Sequence, residues 1–229
     1  MNARRLAYLK ALDIDVWERR GLAQSAVPAA TPAPAPAAGS QPGWPELERA
    51  VKTCTLCSLH QTRTQAVFGV GNRNAQWMVI GEAPGADEDR QGEPFVGRAG
   101  QLLNSMLKAI GLAREQVFIA NILKSRPPNN RDPRPEEVRA CLPYLFRQIE
   151  LVNPRLILCV GRIAAQTLLE TDTSIGKLRG QLHRIAGNRP MIVTYHPAYL
   201  LRSPGEKRKS WSDLLLALRT YESLPGITA

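Results

Sequence analysis

QWMVIGEAPGADEDRQGEPFVGRAG, residues 76–100, divides into a short apolar run and a polar, glycine-punctuated loop. Trp77-Met78-Val79-Ile80 has no polar alternation and is bounded by turn formers. That pattern predicts a strand buried on both faces, as in a parallel sheet, rather than a half-exposed surface strand. The run breaks at Gly81, and Gly81-Glu82-Ala83-Pro84-Gly85 sets a carboxylate on a stiff loop at the strand's carboxyl end. In open α/β sheets that edge is where ligands bind. The acids that follow, Asp87-Glu88-Asp89, read by charge density alone as a solvated loop.

Outward from this stretch the same strand pattern recurs three times, at Val117–Asn121, Leu156–Gly161 and Met191–Tyr195. Apolar residues at helical spacing lie between, in Gly100–Ile110, Arg134–Val152 and Arg162–Glu170, and a last helix is predicted over Glu206–Tyr221. Strands alternating with helices predict an α/β fold, a three-layer α/β/α sandwich around a four-stranded parallel sheet. The domain is expected to span 44–229, opening on a helix with Pro45 in its first turn and Glu46 and Glu48 near its positive end. Residues 25–43 are rich in alanine and proline, uncharged, and unable to build a core, which makes them a linker. Residues 1–24 carry Leu6, Leu9, Leu12, Ile14 and Trp17 on one side of a short amphipathic segment.

Thirty Lys and Arg against twenty Asp and Glu give a net charge of +10. The corresponding pI is near 9.9. The natural partner of such a surface is a polyanion, with nucleic acid first. No run reaches the ~18 apolar residues of a membrane span. The N-terminus has charges through its middle, unlike a secretory signal, so a cytoplasmic protein that gathers at the nucleoid is expected. The four cysteines, Cys54, Cys57, Cys141 and Cys159, suit metal or cluster binding in a reducing compartment before disulfides.

GEAPGADEDRQGEPFVGRAGQLL resembles the first signature of the type 4 uracil-DNA glycosylases, the branch of that superfamily that usually carries an iron-sulfur cluster, and the likeness runs from Cys54 to the C-terminal helix. It implies the uracil-DNA glycosylase fold and a monomeric repair enzyme that hydrolyses the N-glycosidic bond of uracil in DNA after flipping the base. By that resemblance Glu82 and His196 are the catalytic positions. His196 donates to uracil O2 as the base leaves, and Glu82 orients water or stabilises the oxocarbenium-like sugar. Ala83 stands where the best-known uracil glycosylases have an aspartate. Phe95 corresponds to the aromatic that stacks on the base, and a phenylalanine pinned between proline and glycines is poorly placed for core. Asn121 corresponds to the reader of the O4 and N3 edge, and Glu88 to the residue that crowds C5. His196-Pro-Ala-Tyr-Leu-Leu-Arg202 resembles the superfamily's second signature, in which Leu200 or Leu201 wedges into the gap and Arg202 meets phosphate. Lys124 and Arg126 are expected on the DNA as well, with Arg131, Lys177, Arg179, Lys207, Arg208 and Lys209 around them.

Cys54, Cys57 and Cys141 match three of the four family ligands of a [4Fe-4S] cluster. Ser125, in Lys124-Ser125-Arg126-Pro127-Pro128, holds the place of the fourth. An alkoxide is a harder and more basic ligand than a thiolate, so a cluster, a zinc site completed by His60, and a metal-free loop all remain open. Cys159 lies inside an apolar strand and reads as core.

Arg4-Arg5, Leu9, Leu12, Ile14, Trp17 and Arg20 resemble the N-terminal peptide of the psi subunit of bacterial DNA polymerase III, which implies docking on the clamp loader through residues 1–22. The alternative to a repair enzyme is therefore a psi-like accessory protein of the replisome whose glycosylase domain is weak or inactive.

Overall fold

The computed structural model describes residues 41–225, so the expected docking peptide and most of the expected linker lie outside the described residues. The chain opens with α1 (Trp44–Lys52), then β1 (Val70–Gly71), β2 (Trp77–Gly81), α2 (Ala86–Gln91), α3 (Arg98–Ala109) and β3 (Phe118–Asn121). It continues with α4 (Pro135–Val152), β4 (Leu156–Val160), α5 (Arg162–Leu169), α6 (Ile175–Leu178), β5 (Leu182–Ile185), β6 (Arg189–Thr194), α7 (Pro197–Arg202) and α8 (Lys207–Glu222). No described helix is long and apolar enough to cross a membrane.

These strands form one sheet in the order β1-β3-β2-β4-β6-β5. The four inner strands are parallel and match the four expected from their apolar runs. The sheet nevertheless has six strands, because β1 and β5 pair antiparallel at its two edges. Neither edge has an apolar run to announce it. Val70–Gly71 is two residues long, and Leu182–Ile185 is mostly exposed on a hairpin turned through the left-handed Ala186-Gly187-Asn188. Pairing with a neighbour already in place, rather than burial of its own, makes each a strand.

Alternation within the buried strands sends side chains to both faces. Met78, Ile80, Ile157, Cys159, Met191 and Val193 pack beneath α4, α5 and α6, while Trp77, Val79, Leu156, Leu158, Val160 and Ile192 pack against α3 and α8. Cys159 is fully buried, the core residue expected, and burial pushes its thiol up beyond the usual range. The acidic run is no loop. It forms α2, whose Asp89 is buried and accepts from the Thr64 N–H at 3.0 Å. The chain moves one way from β2 to β3 and the other way from β4 to β6, so a crevice opens above the carboxyl ends of β2 and β4.

Candidate active site

A cleft of about 720 Å³ fills that crevice, lined by Glu82, Glu88, Phe95, Asn121, Arg162 and His196 among others. It brings together all five residues expected to catalyse or to hold the base, from three strand ends, α2 and the turn that follows α2.

Register builds the floor. Gly81 and Asn121 are partners across β2 and β3. A Cβ on Gly81 would stand 2.5 Å from Asn121 Oδ1 and 2.6 Å from Phe95 Cζ, so only glycine lets the amide and the ring share this place. Asn121 is buried and its Oδ1 has no hydrogen-bond partner among the described residues. A buried acceptor left unpaired costs about 1–3 kcal/mol, which is the mark of a group held ready for a ligand.

Phe95 is both pocket wall and core, only 6% exposed and joined to the cluster under α3, so the expectation that it avoids the core is corrected. Its backbone is left-handed at φ 56°, a conformation that costs a side-chain-bearing residue of order 1–3 kcal/mol. Two features hold it. Gly100 lets the Phe95 carbonyl approach where a Cβ would be 1.7 Å away. Arg114, in the 3₁₀ turn before β3, donates from Nη2 to Pro94 O at 2.6 Å and from Nη1 to Phe95 O at 3.2 Å. Nothing in the sequence singled out Arg114, since its partners are carbonyls some twenty residues away.

Glu88 lines the cleft, but both its oxygens are engaged. Oε2 accepts from the Gly85 N–H at 3.1 Å, and Oε1 from the Val96 and Gly97 N–H groups at 3.0 and 3.2 Å. The carboxylate thereby ties the Gly-Glu-Ala-Pro-Gly loop to the Phe95 turn. Glu82, half-buried at the end of β2, is pushed up to about 7 by burial and then by the nearby Asp132 charge, against the pull of Arg162. Arg162 opens α5 one residue beyond β4 and pairs with Asp132 at 2.8 Å. Its place beside the crevice could have been found from the strand pattern, as the first residue beyond the third buried run.

His196 caps α7. Its Nδ1 accepts from the Ala198 N–H at 3.1 Å, so the proton of the neutral ring sits on Nε2. Burial, then the Arg202 cation, push it down to about 4, and the ring is neutral at physiological pH. It stacks against Phe95, centroids 5.5 Å apart.

The residues expected on DNA divide. Arg202 is exposed at the cleft, Leu201 is half-buried, and Arg126 is half-buried with its Nε donating to Asn130 Oδ1 at 2.7 Å. Leu200 is 1% exposed and packs in the core, so it is no wedge: it falls on the inner face of α7. Lys124 is also 1% exposed, out of reach of any phosphate. Its Nζ donates to Asn121 O at 2.8 Å and to Gln148 Oε1 at 2.6 Å, and burial pushes it down to about 7. Position in a loop after a strand suggested exposure, but the loop folds under α4. Lys124 supports the backbone of Asn121 instead.

Cys54 and Cys57 are half-buried and Cys141 is buried, all as free thiols. Ser125 is buried, and its Oγ accepts from Arg63 Nη1 at 2.9 Å while Arg63 Nη2 donates to Cys54 O at 2.9 Å. The His60 ring lies 2.7 Å from Cys57 O through Nδ1. Among the described residues no three His, Cys, Asp or Glu side chains are grouped to hold a metal ion. Three thiols and a hydroxyl already bound by a guanidinium do not make the four-thiolate set of a [4Fe-4S] cluster.

The profile of the uracil DNA glycosylase superfamily matches residues 68–216. Among curated proteins, the chain is similar to the type-4 uracil-DNA glycosylase of Archaeoglobus fulgidus, 47% identical over 175 residues that cover 73% of this chain and 88% of that protein. The type-4 uracil-DNA glycosylase of Pyrobaculum aerophilum is 45% identical over 178 residues, 75% of this chain and 91% of its own. That of Thermotoga maritima is 47% identical over 154 residues, 67% and 80% of the two chains.

Proposed function

The chain belongs to the uracil-DNA glycosylase superfamily and is a uracil-DNA glycosylase, and from that premise we propose how its own side chains carry the reaction. The observation that carries the reading is the unpaired Oδ1 of buried Asn121, at the floor of a cleft walled by an aromatic ring and a neutral imidazole.

A uracil flipped into this cleft lies along the Phe95 ring. Asn121 Oδ1 accepts from uracil N3–H and its amide donates to O4, satisfying the orphaned acceptor. The C1′–N1 bond breaks with its electron pair going to the base. The His196 Nε2–H stabilises the resulting uracil anion at O2, and because the ring is neutral it does so by hydrogen bonding without first giving up a proton. The ionised Glu82 carboxylate stabilises the cationic sugar, orients the water that adds to C1′, and takes the proton that this water loses. With Ala83 in place of an aspartate, catalysis leans on separated charges more than on a strong general base. Glu88 acts indirectly, holding the loop that carries Glu82 to the turn that carries Phe95. The donor set at Cys54, Cys57, Ser125 and Cys141 takes no part in any step.

Uracil release from a labelled oligonucleotide tests this. His196→Ala is expected to lower kcat by about 10²–10³, as for loss of one oxyanion donor. Asn121→Ala is expected to lower kcat/KM at least tenfold, which is about 1.4 kcal/mol. Unchanged kinetics in both variants would place the pocket elsewhere.

A further inference from the structure

Outside the cleft, the first two turns of α8 gather an aromatic ring and two cations that have no ring or ion-pair partner among the described residues. Trp211 is 42% exposed. Trp44 and Trp77 both pack on other rings, but Trp211 has no ring or cation partner among the described residues. Lys207 and Arg208 precede it by one helical turn, which puts all three on one face. Both are exposed, as is Arg202 at the end of α7, and none of the three enters an ion pair among the described residues. Lys209, by contrast, is paired with Glu206 at 2.9 Å.

A set of short hydrogen bonds fixes the start of this helix. Asp213, two residues past Trp211, accepts from Thr194 Oγ1 at 2.9 Å, and Thr194 is the last residue of β6. Arg179 grips both oxygens of Asp213, at 2.7 and 2.9 Å, and donates to Lys209 O at 2.6 Å. The same guanidinium lies 5.5 Å over the ring of Tyr195, which packs on Tyr199 at 5.0 Å, and both tyrosines line the cleft. The sheet-facing side of α8, held through Asp213 and the Lys209 carbonyl, therefore stands at the carboxyl edge of the sheet, while Trp211, two residues before Asp213, lies on the outer side of the helix.

We propose that Trp211, Lys207 and Arg208, together with Arg202 at the end of α7, form a track for single-stranded DNA outside the cleft, with an unpaired flanking base stacked on the Trp211 ring. The proposal rests on the reading of the cleft as a uracil pocket. Unpaired cations neutralise phosphates, and an exposed indole offers a flat face that any base can stack on. In a duplex that face of the base is already covered by its neighbours, so the ring selects unpaired strands.

The test uses the full-length chain and two ligands, an oligo-dT 20-mer without uracil and a duplex of the same length. Trp211→Ala is expected to weaken binding of oligo-dT roughly five- to tenfold, the scale of one base stacked on an aromatic. Duplex affinity and the melting temperature should stay unchanged, and Trp211→Phe should recover most of the loss. The Lys207→Ala/Arg208→Ala double variant should flatten the dependence of log K on log salt by about 1.4, roughly 0.7 for each single-strand phosphate that is no longer neutralised. Equal oligo-dT affinity in wild type and Trp211→Ala would overturn the proposal, and so would an equal loss on duplex, which would assign the face to paired DNA. Because the oligo-dT carries no uracil, failure of the pocket reading shows separately, as absence of uracil release by the wild type.

Discussion

Glu82 and His196 face one cleft with their protons displaced in opposite directions, and each displacement has a measurable consequence. The Glu82 carboxyl is raised from an ordinary 4.5 to about 7, so it is protonated at pH 5 and charged at pH 8. If the carboxylate is the working form, kcat on a single-turnover assay rises about tenfold per pH unit below 7 and levels off above it. His196, at about 4, adds no second break in that range. Linkage fixes the sign of the stability effect. The folded chain holds the Glu82 proton more tightly than the unfolded chain, so the contribution is fully present below pH 4.5 and is lost as pH rises through 7. Glu82→Gln is therefore expected to gain in melting temperature over wild type between pH 5 and pH 8, while losing activity. A gap that shrinks with pH would show that Glu82 is not a strained carboxylate.

The segment between β2 and α3, with α2 inside it, works as one element because three groups tie it down: Glu88 from within, Gly100 beneath, and Arg114 from the turn after α3. Hydrogen bonds to a charged donor are worth about 1.5–3 kcal/mol each, enough to hold a left-handed phenylalanine that costs about as much. Arg114→Ala is expected to weaken product inhibition by uracil and to cost roughly tenfold in kcat/KM, with Arg114→Lys recovering part. A fall in melting temperature with unchanged uracil inhibition would make Arg114 only a structural support. The segment from Lys124 to Arg126 shows a different dependence. Arg63, 62 residues before Ser125, joins that hydroxyl to the Cys54 backbone. Ser125→Cys supplies a fourth thiol, and iron per chain after anaerobic purification is expected to exceed that of the wild type. Equal and negligible iron in both would mean that the loop no longer admits a cluster.

At the scale of the whole molecule, the excess of positive charge is used locally. Arg131 binds Glu137 through both nitrogens at 2.6 and 2.9 Å, and Arg179 is spent on Asp213, so neither is free for phosphate, whereas Arg202, Lys207 and Arg208 are unpaired among the described residues. Sequence counts cations and only packing reveals which have partners. The same division runs through the fold. The four inner strands and their helices were legible because a buried strand must be apolar along its length and a covering helix must be apolar on one side. Glu82, Asn121 and His196 could be placed at strand ends from the apolar runs, whereas the roles expected of them came from the family resemblance. The edge strands, the burial of Lys124 and Leu200, and the clamp at Arg114 were not legible. Each is decided by a neighbour distant in the chain, and periodicity carries no trace of such a neighbour. By itself the sequence determined the four inner strands and the order of elements, through local rules of burial, while the roles of the site residues came from the family resemblance. Tertiary structure alone decided which basic residues meet solvent, which tautomer His196 holds and how far the Glu82 carboxyl is raised, because those follow from packing and desolvation that exist only once the chain has closed.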